Sequence, residues 1–261
     1  GKKTGLPVYT LLGGKQQDKV KLYKVVTRTD PDAMAARIPE YRAQGYRNFQ
    51  VKVGENPLTD ISRIRKVAAC MEPGDVLNAD ANTGWKQHQA LIVADAIKDL
   101  PREHGLLLYF EQPCLTYEEC LTVRQHTDLP FVLDECIDSL SALLRAHHDN
   151  AMDLINLKIN RMGGLTRARQ IRDLCAEADI KMRIDGPWCG DIASAAIVNL
   201  AMGAPPDLLI AGCDLREPLT RNPDLKGLTH TTPTRISPTF PSGFAVDGVR
   251  DQLGPAEMVW T

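Results

Sequence analysis

Five charged residues lie in successive strand-like runs of this sequence, and together their types suit acid–base and metal chemistry. Lys52 lies in FQVKVG, Asp80 in LNADAN, Glu111 in LYFEQP, Asp134 in FVLDE and Lys158 in INLKIN. Successive members are 28, 31, 23 and 24 residues apart, the length of one strand, one helix and two short loops in a parallel α/β repeat. If each closes its own strand, all five meet at one mouth of a barrel, where such barrels keep their active sites.

The three acids form an all-oxygen set of side chains. Asp80, Glu111 and Asp134 come from three consecutive strand-like runs, with no cysteine or histidine among them. Oxygen ligands favour a hard divalent cation, so the sequence predicts one Mg²⁺ site, with Mn²⁺ as a compatible ion. The structural alternative is that each acid caps the helix that follows its strand.

The two lysines lie among apolar residues, in V-K-V and L-K-I. A solvated surface lysine is not expected there, so Lys52 and Lys158 need a partner or a function. A partly desolvated lysine beside a bound cation has a lowered pKa, as a general base requires. The structural alternative is an ion pair with a neighbouring acid, and Glu135 is a candidate for that partner.

Strands and helices that alternate along the chain must position these residues. Eight apolar runs have the length of strands: 20–26, 48–53, 76–80, 106–111, 131–134, 154–159, 181–185 and 208–212. Seven stretches between them have helical spacing of apolar residues: 31–44, 58–70, 88–100, 117–126, 140–147, 166–178 and 191–202. This order predicts an α/β protein with a (β/α)8 (TIM-type) barrel over residues 19–214. Prolines and glycines break the periodicity of residues 215–261, which predicts an irregular C-terminal tail that wraps the barrel.

Composition excludes several classes of protein. The chain has 43% hydrophobic and 25% charged residues, which is typical of a globular protein with a large core. A net charge of -2 gives no broad basic surface for nucleic acid, and no apolar run is long enough to cross a membrane. Seven scattered cysteines without a C-x-x-C pair indicate a reducing compartment, so we expect a cytoplasmic protein. A homo-oligomer is compatible with the sequence, which specifies no oligomeric state.

Taken together, these motifs resemble the barrel domain of the enolase superfamily and, within it, the group of muconate-lactonizing and mandelate-racemase-like enzymes. The resemblance implies Mg²⁺ held by Asp80, Glu111 and Asp134. It also implies two catalytic lysines, Lys52 as the second lysine of a K-x-K motif and Lys158 on the sixth strand. The first lysine of K-x-K is Gln50 here, so the cation usual beside the base and the substrate carboxylate is replaced by an amide. Full-length relatives carry an N-terminal capping domain, so we expect residues 1–18 to be the junction from a cap outside this sequence.

Finer strings point to one branch of this group. ADANTGW, EQPCLTYEE, LPFVLDE and INLKINRMGGLT are similar to those of cis-3-hydroxy-L-proline dehydratases and hydroxyproline-betaine epimerases. The similarity implies dehydration of a hydroxyproline-type amino acid, or epimerisation of a proline betaine or another amino or hydroxy acid. In both reactions a lysine removes the α-proton of a small carboxylate substrate, and Mg²⁺ stabilises the enediolate. Seven further residues are candidate substrate contacts: Gln50, Asn82, Glu135, Asp185, Trp188, Asp191 and Asp214.

Two other classes of function stay open on the residues alone. A catalytically silent barrel, retained as a binding or structural protein, would account for Gln50 and for the absent cap. A metal-dependent aldolase would use the acids for its metal and a lysine for a Schiff base. For Trp188 and Asp191, a core aromatic and a helix cap are the structural alternatives to a role in a substrate pocket.

Overall fold

The computed structural model describes residues 1–186, 190–212, 228–232 and 234–238 of the chain. A short strand, β1 (Val20–Lys21), comes first and lies outside the main sheet. The main sheet has eight parallel strands that follow one another in sequence order. These strands are β2 (Lys24–Val26), β3 (Asn48–Lys52), β4 (Val76–Asp80), β5 (Leu107–Glu111), β6 (Phe131–Leu133), β7 (Leu154–Lys158), β8 (Lys181–Asp185) and β9 (Leu209–Gly212).

The two edges of this sheet meet. Leu22 forms a parallel bridge with Gly212, and the backbone N–H of Tyr23 donates to the carbonyl of Gly212 at 3.1 Å. Because Leu22 and Tyr23 lead directly into β2 and Gly212 ends β9, these contacts close the sheet into a barrel. The predicted (β/α)8 fold is confirmed.

A helix follows each of the strands β2 to β8, a short helix precedes β1, and another short helix lies directly before β5. They are α1 (Val8–Leu11), α2 (Pro31–Ala43), α3 (Pro57–Ala69), α4 (Gln87–Ile97), α5 (Leu100–His104), α6 (Tyr117–Arg124), α7 (Leu140–His148), α8 (Leu165–Glu177) and α9 (Gly190–Met202). Side chains of Asp30, Asn56, Thr116 and Ser139 accept hydrogen bonds from the first turns of α2, α3, α6 and α7, the usual N-cap chemistry. Within the described residues, no helix combines the length and apolar composition needed to cross a bilayer.

Two predicted elements are divided in the structure. The predicted helix 88–100 becomes α4 and α5, and Pro101 lies in the first turn of α5, where a missing N–H is tolerated. The predicted strand 20–26 changes partner at Leu22, whose N–H donates to Thr234 O at 3.0 Å. Before that point, β1 pairs antiparallel with β11 (Arg235–Pro238), which pairs in turn with β10 (Leu228–Thr232).

This hairpin is the described part of the predicted irregular tail. It forms a three-stranded antiparallel sheet with β1, so at least one part of the tail packs against the start of the barrel chain. Residues 1–18 contact the end of α9, since Gln16 N–H donates to Met202 O at 2.9 Å. The division into a junction, a barrel and a wrapping segment stays a prediction.

One buried carboxylate orders the loop that follows β3. Asp60 is fully buried and accepts hydrogen bonds from the backbone of Gly54 at 3.0 Å and of Glu55 at 2.7 Å. It also accepts from the indole of Trp85 at 3.1 Å and from the guanidinium of Arg63 at 2.7 Å. A buried charge needs such partners. Asp60 therefore ties the loop after β3 to the loop after β4, beside the strand ends that carry Lys52 and Asp80.

Two glycines allow these loops to approach closely. A Cβ at Gly54 would lie 2.2 Å from Ala81 O, and a Cβ at Gly84 would lie 2.1 Å from Gly54 O. Gly54 also has a φ of +99°, a conformation that favours glycine. Backbone atoms cannot yield as a flexible side chain can, so no larger residue fits at either position without moving a loop.

We expect Gly54→Ala to destabilise the protein by about 3 kcal/mol or more, because it adds a backbone clash to an unfavourable φ. Gly74→Ala is the matched control: Gly74 has a φ of +87° but no atom within 4 Å of the added Cβ. Its cost should be only about 1 kcal/mol. Urea unfolding of the two variants measures the difference, and equal losses would show that the loops can separate without cost.

Candidate active site

The strand register brings the predicted charged residues to one end of the barrel. Lys52 lies beside Asp80, and Asp80 beside Glu111, on neighbouring strands β3, β4 and β5. Asp134 follows β6 by one residue, and Lys158 ends β7. The three acids are almost completely inaccessible to solvent, with exposures of 1%, 0% and 0%. The structure thus brings together all five residues that the sequence singled out.

Asp80, the last residue of β4, is held by residues of β3 and of the loop that follows β4. Its Oδ2 accepts from Lys52 Nζ at 2.5 Å and from Gln50 Nε2 at 3.0 Å. Its Oδ1 accepts from the backbone N–H of Asn82 at 2.9 Å. Gln50 is itself 2% exposed and also donates to Glu111 at 3.1 Å. This amide, at the first position of K-x-K, therefore lies beneath the acids and joins two of them.

Glu111 is the most heavily bonded of the acids. It accepts from Asn156 at 3.0 Å, from Arg183 at 3.0 Å and from Asn78. These three residues were not predicted from the sequence. The alternation of side chains along a strand, with a period of two residues, could have identified them. Asn78 lies two residues before Asp80, Asn156 two before Lys158 and Arg183 two before Asp185. Alternate residues of a strand share one face, so the polar layer below the mouth repeats the layer above it.

Asp134 is bonded to two cations. Lys158 Nζ donates to its Oδ2 at 2.5 Å, and Arg161 donates to its Oδ1 and, at 2.7 Å, to its backbone carbonyl. Arg161 was also not identified from the sequence, where it is one of several arginines after β7. Both lysines therefore form ion pairs, as the structural alternative proposed, but their partners are Asp80 and Asp134 and not the candidate Glu135.

Asn82 and Glu135 continue this network at the rim of the mouth. Lys52 Nζ donates to Asn82 Oδ1 at 3.0 Å, and Asn82 Nδ2 donates to Glu135 Oε1 at 3.2 Å. The other carboxylate oxygen of Glu135 is buried and has no hydrogen-bond partner among the described residues. A buried anionic oxygen without a donor is costly and marks a place where a cation or a donor of a ligand would be stabilised.

The remaining predicted contacts divide into two groups. Asp185 is 4% exposed and accepts from the hydroxyl of Tyr23 at 2.5 Å and from Asn156 at 3.2 Å, so it joins the same network on the far side of the barrel. Trp188 and Asp214 lie outside the described residues. Asp191 belongs to α9 by its backbone, and its side chain is outside the described part of the chain.

Burial and mutual repulsion act on the acids. Burial, followed by the charge of Glu111, raises the pKa of Asp80 to about 7, although Lys52 lowers it. The same two causes raise the pKa of Asp134 to about 7, against Lys158 and Arg161. For Glu111, burial is outweighed by Arg183, by Lys52 and by amide hydrogen bonds, and its pKa falls below the usual value. The acids thus carry more negative charge than the neighbouring cations offset.

The pKa values of both lysines shift upward, whereas a general base requires a downward shift. Burial lowers the pKa of Lys52, but Asp80 and Glu111 outweigh burial and the net direction is upward. For Lys158, Asp185 and Asp134 likewise outweigh burial and raise its pKa. The described residues therefore do not produce the downward shift of the lysine pKa values expected from the sequence; the charge of a bound cation would act in that direction.

The acids of the mouth are the side chains that could hold a divalent metal. Among the described residues, no three Asp, Glu, His or Cys side chains stand together as a ready ligand group, and each of the three acids is instead bonded to a lysine or an arginine. The chemistry of the set nevertheless fits Mg²⁺: three buried carboxylates, two of them with raised pKa values, and an unpartnered carboxylate oxygen of Glu135. A hard cation would relieve the same repulsion that the ammonium groups relieve here.

The fold is a (β/α)8 barrel with acids and lysines at its mouth. Residues 33–234 match the family described as enolase C-terminal domain-like, and the chain belongs to that family. The family predicted from the sequence is confirmed.

Among curated proteins, the chain is 47% identical over 214 residues to a cis-3-hydroxy-L-proline dehydratase of Roseibium aggregatum, covering 82% of the chain and 57% of the relative. It is 27% identical to an N-succinyl-L-Arg/Lys racemase of Bacillus cereus, covering 89% of the chain and 62% of the relative. The chain therefore spans little more than half the length of these curated relatives.

Solved structures are similar over nearly the whole chain. A mandelate racemase/muconate lactonizing enzyme from Roseovarius nubinhibens superposes with a TM-score of 0.90 at 37% identity, over 100% of this chain and 70% of that one. A second protein from the same organism, crystallised with magnesium, has a TM-score of 0.87 at 28% identity, over 98% and 70% of the two chains. Magnesium is thus bound by a structural relative with the same fold.

We expect the metal-free protein to lose stability as pH rises from about 4 to about 7. The unfolded chain releases the protons of Asp80 and Asp134 near the usual aspartate pKa of 3.8, whereas the folded chain holds them to about pH 7. The unfolded state then binds fewer protons, and each pH unit in this range costs about 1.4 kcal/mol per group. Urea unfolding in EDTA across this range measures the effect.

The control is the double variant Asp80→Asn, Asp134→Asn. All other titrating groups are kept in this variant, so its pH dependence should lack the loss that the two acids cause. If the wild type and the double variant change in parallel, the two acids are not protonated in the folded state and their pKa values are not raised.

Proposed function

We propose that this chain forms the barrel of an Mg²⁺-dependent enzyme that removes the α-proton of a small carboxylate substrate, and that its reaction is the dehydration of a hydroxyproline-type amino acid. One observation carries the proposal. Lys52 on β3 and Lys158 on β7 are four strands apart in a closed barrel of eight, and both contact the group of buried acids between them. A substrate held at those acids has an amine on each side.

In this proposal Asp80, Glu111 and Asp134 hold the cation, and Mn²⁺ would suit the same oxygens. When bound, Mg²⁺ would stabilise the negative charge that develops on the substrate carboxylate as the α-proton leaves. The charges of the mouth support a substrate anion. Among the residues that the structure describes, five acids of the mouth face four cations, so a divalent ion would leave this described set with one positive charge for a carboxylate. The acids are Asp80, Glu111, Asp134, Glu135 and Asp185, and the cations are Lys52, Lys158, Arg161 and Arg183.

The side chains of the two lysines are 28% and 16% exposed, while the acids they contact are buried, so the lysines are the more accessible groups of the mouth. In a dehydration, one lysine takes the α-proton. The electron pair of the broken C–H bond becomes the C=C bond between the α- and β-carbons as the β-hydroxyl leaves with its bonding electrons, and that hydroxyl receives a proton from an ammonium group, which gives water. Asn82 would orient Lys52 through the 3.0 Å hydrogen bond to its Nζ.

Dehydration is favoured over epimerisation by the degree of similarity to the dehydratase, 47% identity against 27% for the racemase. The second candidate is racemisation or epimerisation of an amino acid or a proline betaine. Amines on opposite sides of the substrate favour it, since one lysine could remove a proton and the other return one to the opposite face. A barrel that binds without reacting is the non-catalytic alternative.

Calorimetric titration with Mg²⁺, followed by proton NMR in D₂O with cis-3-hydroxy-L-proline, tests the proposal. We expect Mg²⁺ binding and loss of the substrate hydroxyl. Exchange of the α-proton without loss of the hydroxyl would favour epimerisation instead. Binding of the substrate without exchange would favour the silent barrel, and absence of metal binding would overturn the proposed site.

We expect Lys52→Ala and Lys158→Ala to lower turnover by about 10²- to 10⁴-fold, the usual contribution of a general acid or base. Mg²⁺ affinity should not fall, because each variant removes a cation that competes for a carboxylate. Lys66→Ala is the control, since Lys66 pairs with Asp32 on the exposed surface, and it should keep full activity. Unchanged turnover in both mouth variants would contradict the two-lysine mechanism.

A further inference from the structure

Gln112 follows Glu111 and has an unusual backbone conformation. Its φ is +33°, in the left-handed region that residues other than glycine, asparagine and aspartate rarely adopt. Its side chain is completely buried. A residue is kept in such a conformation only where the surrounding contacts determine it, and such positions cluster at functional sites.

The backbone of Gln112 connects its strand to both neighbours. Its N–H donates to the carbonyl of Val132 at 2.9 Å, and its carbonyl accepts from the N–H of Thr83 at 2.9 Å. Thr83 lies three residues after Asp80, and Val132 lies two residues before Asp134. The turn after Glu111 is therefore bonded to the loop that follows Asp80 and to strand β6, which precedes Asp134.

The amide side chain adds a direct link to Asp134. Gln112 Oε1 accepts from the backbone N–H of Asp134 at 2.9 Å, and from the N–H and thiol of Cys136 at 3.5 and 3.3 Å. Its Nε2 donates to the carbonyl of Cys114 at 3.0 Å and contacts the Cys120 sulfur at 3.5 Å. The side chain thus has partners at both ends, and one of them is the main chain of a proposed ligand.

We propose that Gln112 is a positioning residue that sets the spacing between the carboxylates of Glu111 and Asp134, and that this spacing makes the site selective for a small divalent cation. The inference rests on the proposed Mg²⁺ site. Mg²⁺ requires near-octahedral geometry with oxygens at about 2.0–2.1 Å, whereas Ca²⁺ accepts longer and more variable distances. Two carboxylates held at a fixed spacing therefore favour Mg²⁺ over Ca²⁺, and two carboxylates with a variable spacing do not.

The variant Gln112→Gly separates the contribution of the side chain from that of the backbone conformation. Glycine adopts a φ of +33° freely and keeps both backbone hydrogen bonds, but it removes the amide that holds Asp134. We expect Mg²⁺ affinity to fall about 10- to 100-fold, the usual effect of losing a partner of a metal ligand. Ca²⁺ affinity should fall much less, so the ratio of Mg²⁺ to Ca²⁺ affinity drops. Calorimetry with each ion on the intact protein measures both affinities without any assay of activity.

Two further variants complete the experiment. Cys136→Ala removes a neighbouring contact to the same Gln112 oxygen and leaves the bond to Asp134, so it should keep the preference for Mg²⁺. Gln112→Asn also fits the left-handed backbone, but its side chain is one methylene shorter and cannot span the same partners. It should lose the preference for Mg²⁺, and it provides the measurement if the glycine variant does not fold.

The possible results distinguish this inference from the proposed function. A wild-type protein that binds no divalent cation would overturn both. A wild type that prefers Mg²⁺, together with Gln112→Gly and Gln112→Asn variants that keep this preference, would overturn the positioning role and leave the proposed function intact. Equal loss of affinity for both ions would show a general loss of structure, which also contradicts the role.

Discussion

The burial of three carboxylates at one end of the barrel is the constraint on which the rest of the site depends. Parallel strands in register place Asp80 and Glu111 side by side, and the low dielectric of the barrel interior strengthens their repulsion. The repulsion is limited by cations and amides drawn from other strands, among them Lys52, Lys158 and Arg183. The lysines and the acids are therefore one electrostatic unit, and a change in the charge of either alters the other.

The loops above this unit hold the strand ends in place. Asp60 organises the loop after β3 through four hydrogen bonds, and Gly54 allows that loop to lie against Ala81. Gln112, next to Glu111, bonds to the loop after Asp80, to strand β6 and to the backbone of Asp134. None of these three residues would contact the reacting atoms in the proposed function. They act by fixing distances between charged groups, and small changes in such distances have large electrostatic effects where water is excluded.

Much of the architecture was predictable because it follows from local patterns. The eight apolar runs, the spacing of the charged residues at their ends and the helical stretches between them depend on neighbours within a few residues. The predictions were wrong in detail where a distant partner decides the outcome. The strand 20–26 is divided because Leu22 and Tyr23 bond to Thr234 and Gly212, far along the chain. The alternation along β4, β7 and β8 marks Asn78, Asn156 and Arg183 as polar residues, but only the structure shows that all three donate to Glu111.

The sequence by itself determined which residue types end the strands and that those strands form a barrel, because spacing and alternation are properties of a single chain segment. Only the tertiary structure decided which acid each lysine meets and in which direction the acids move its pKa. It also showed that Gln50 lies beneath the acids rather than at the surface. The physical reason is that charge interactions depend on distance and burial between residues of different strands, and the register of a closed sheet sets both.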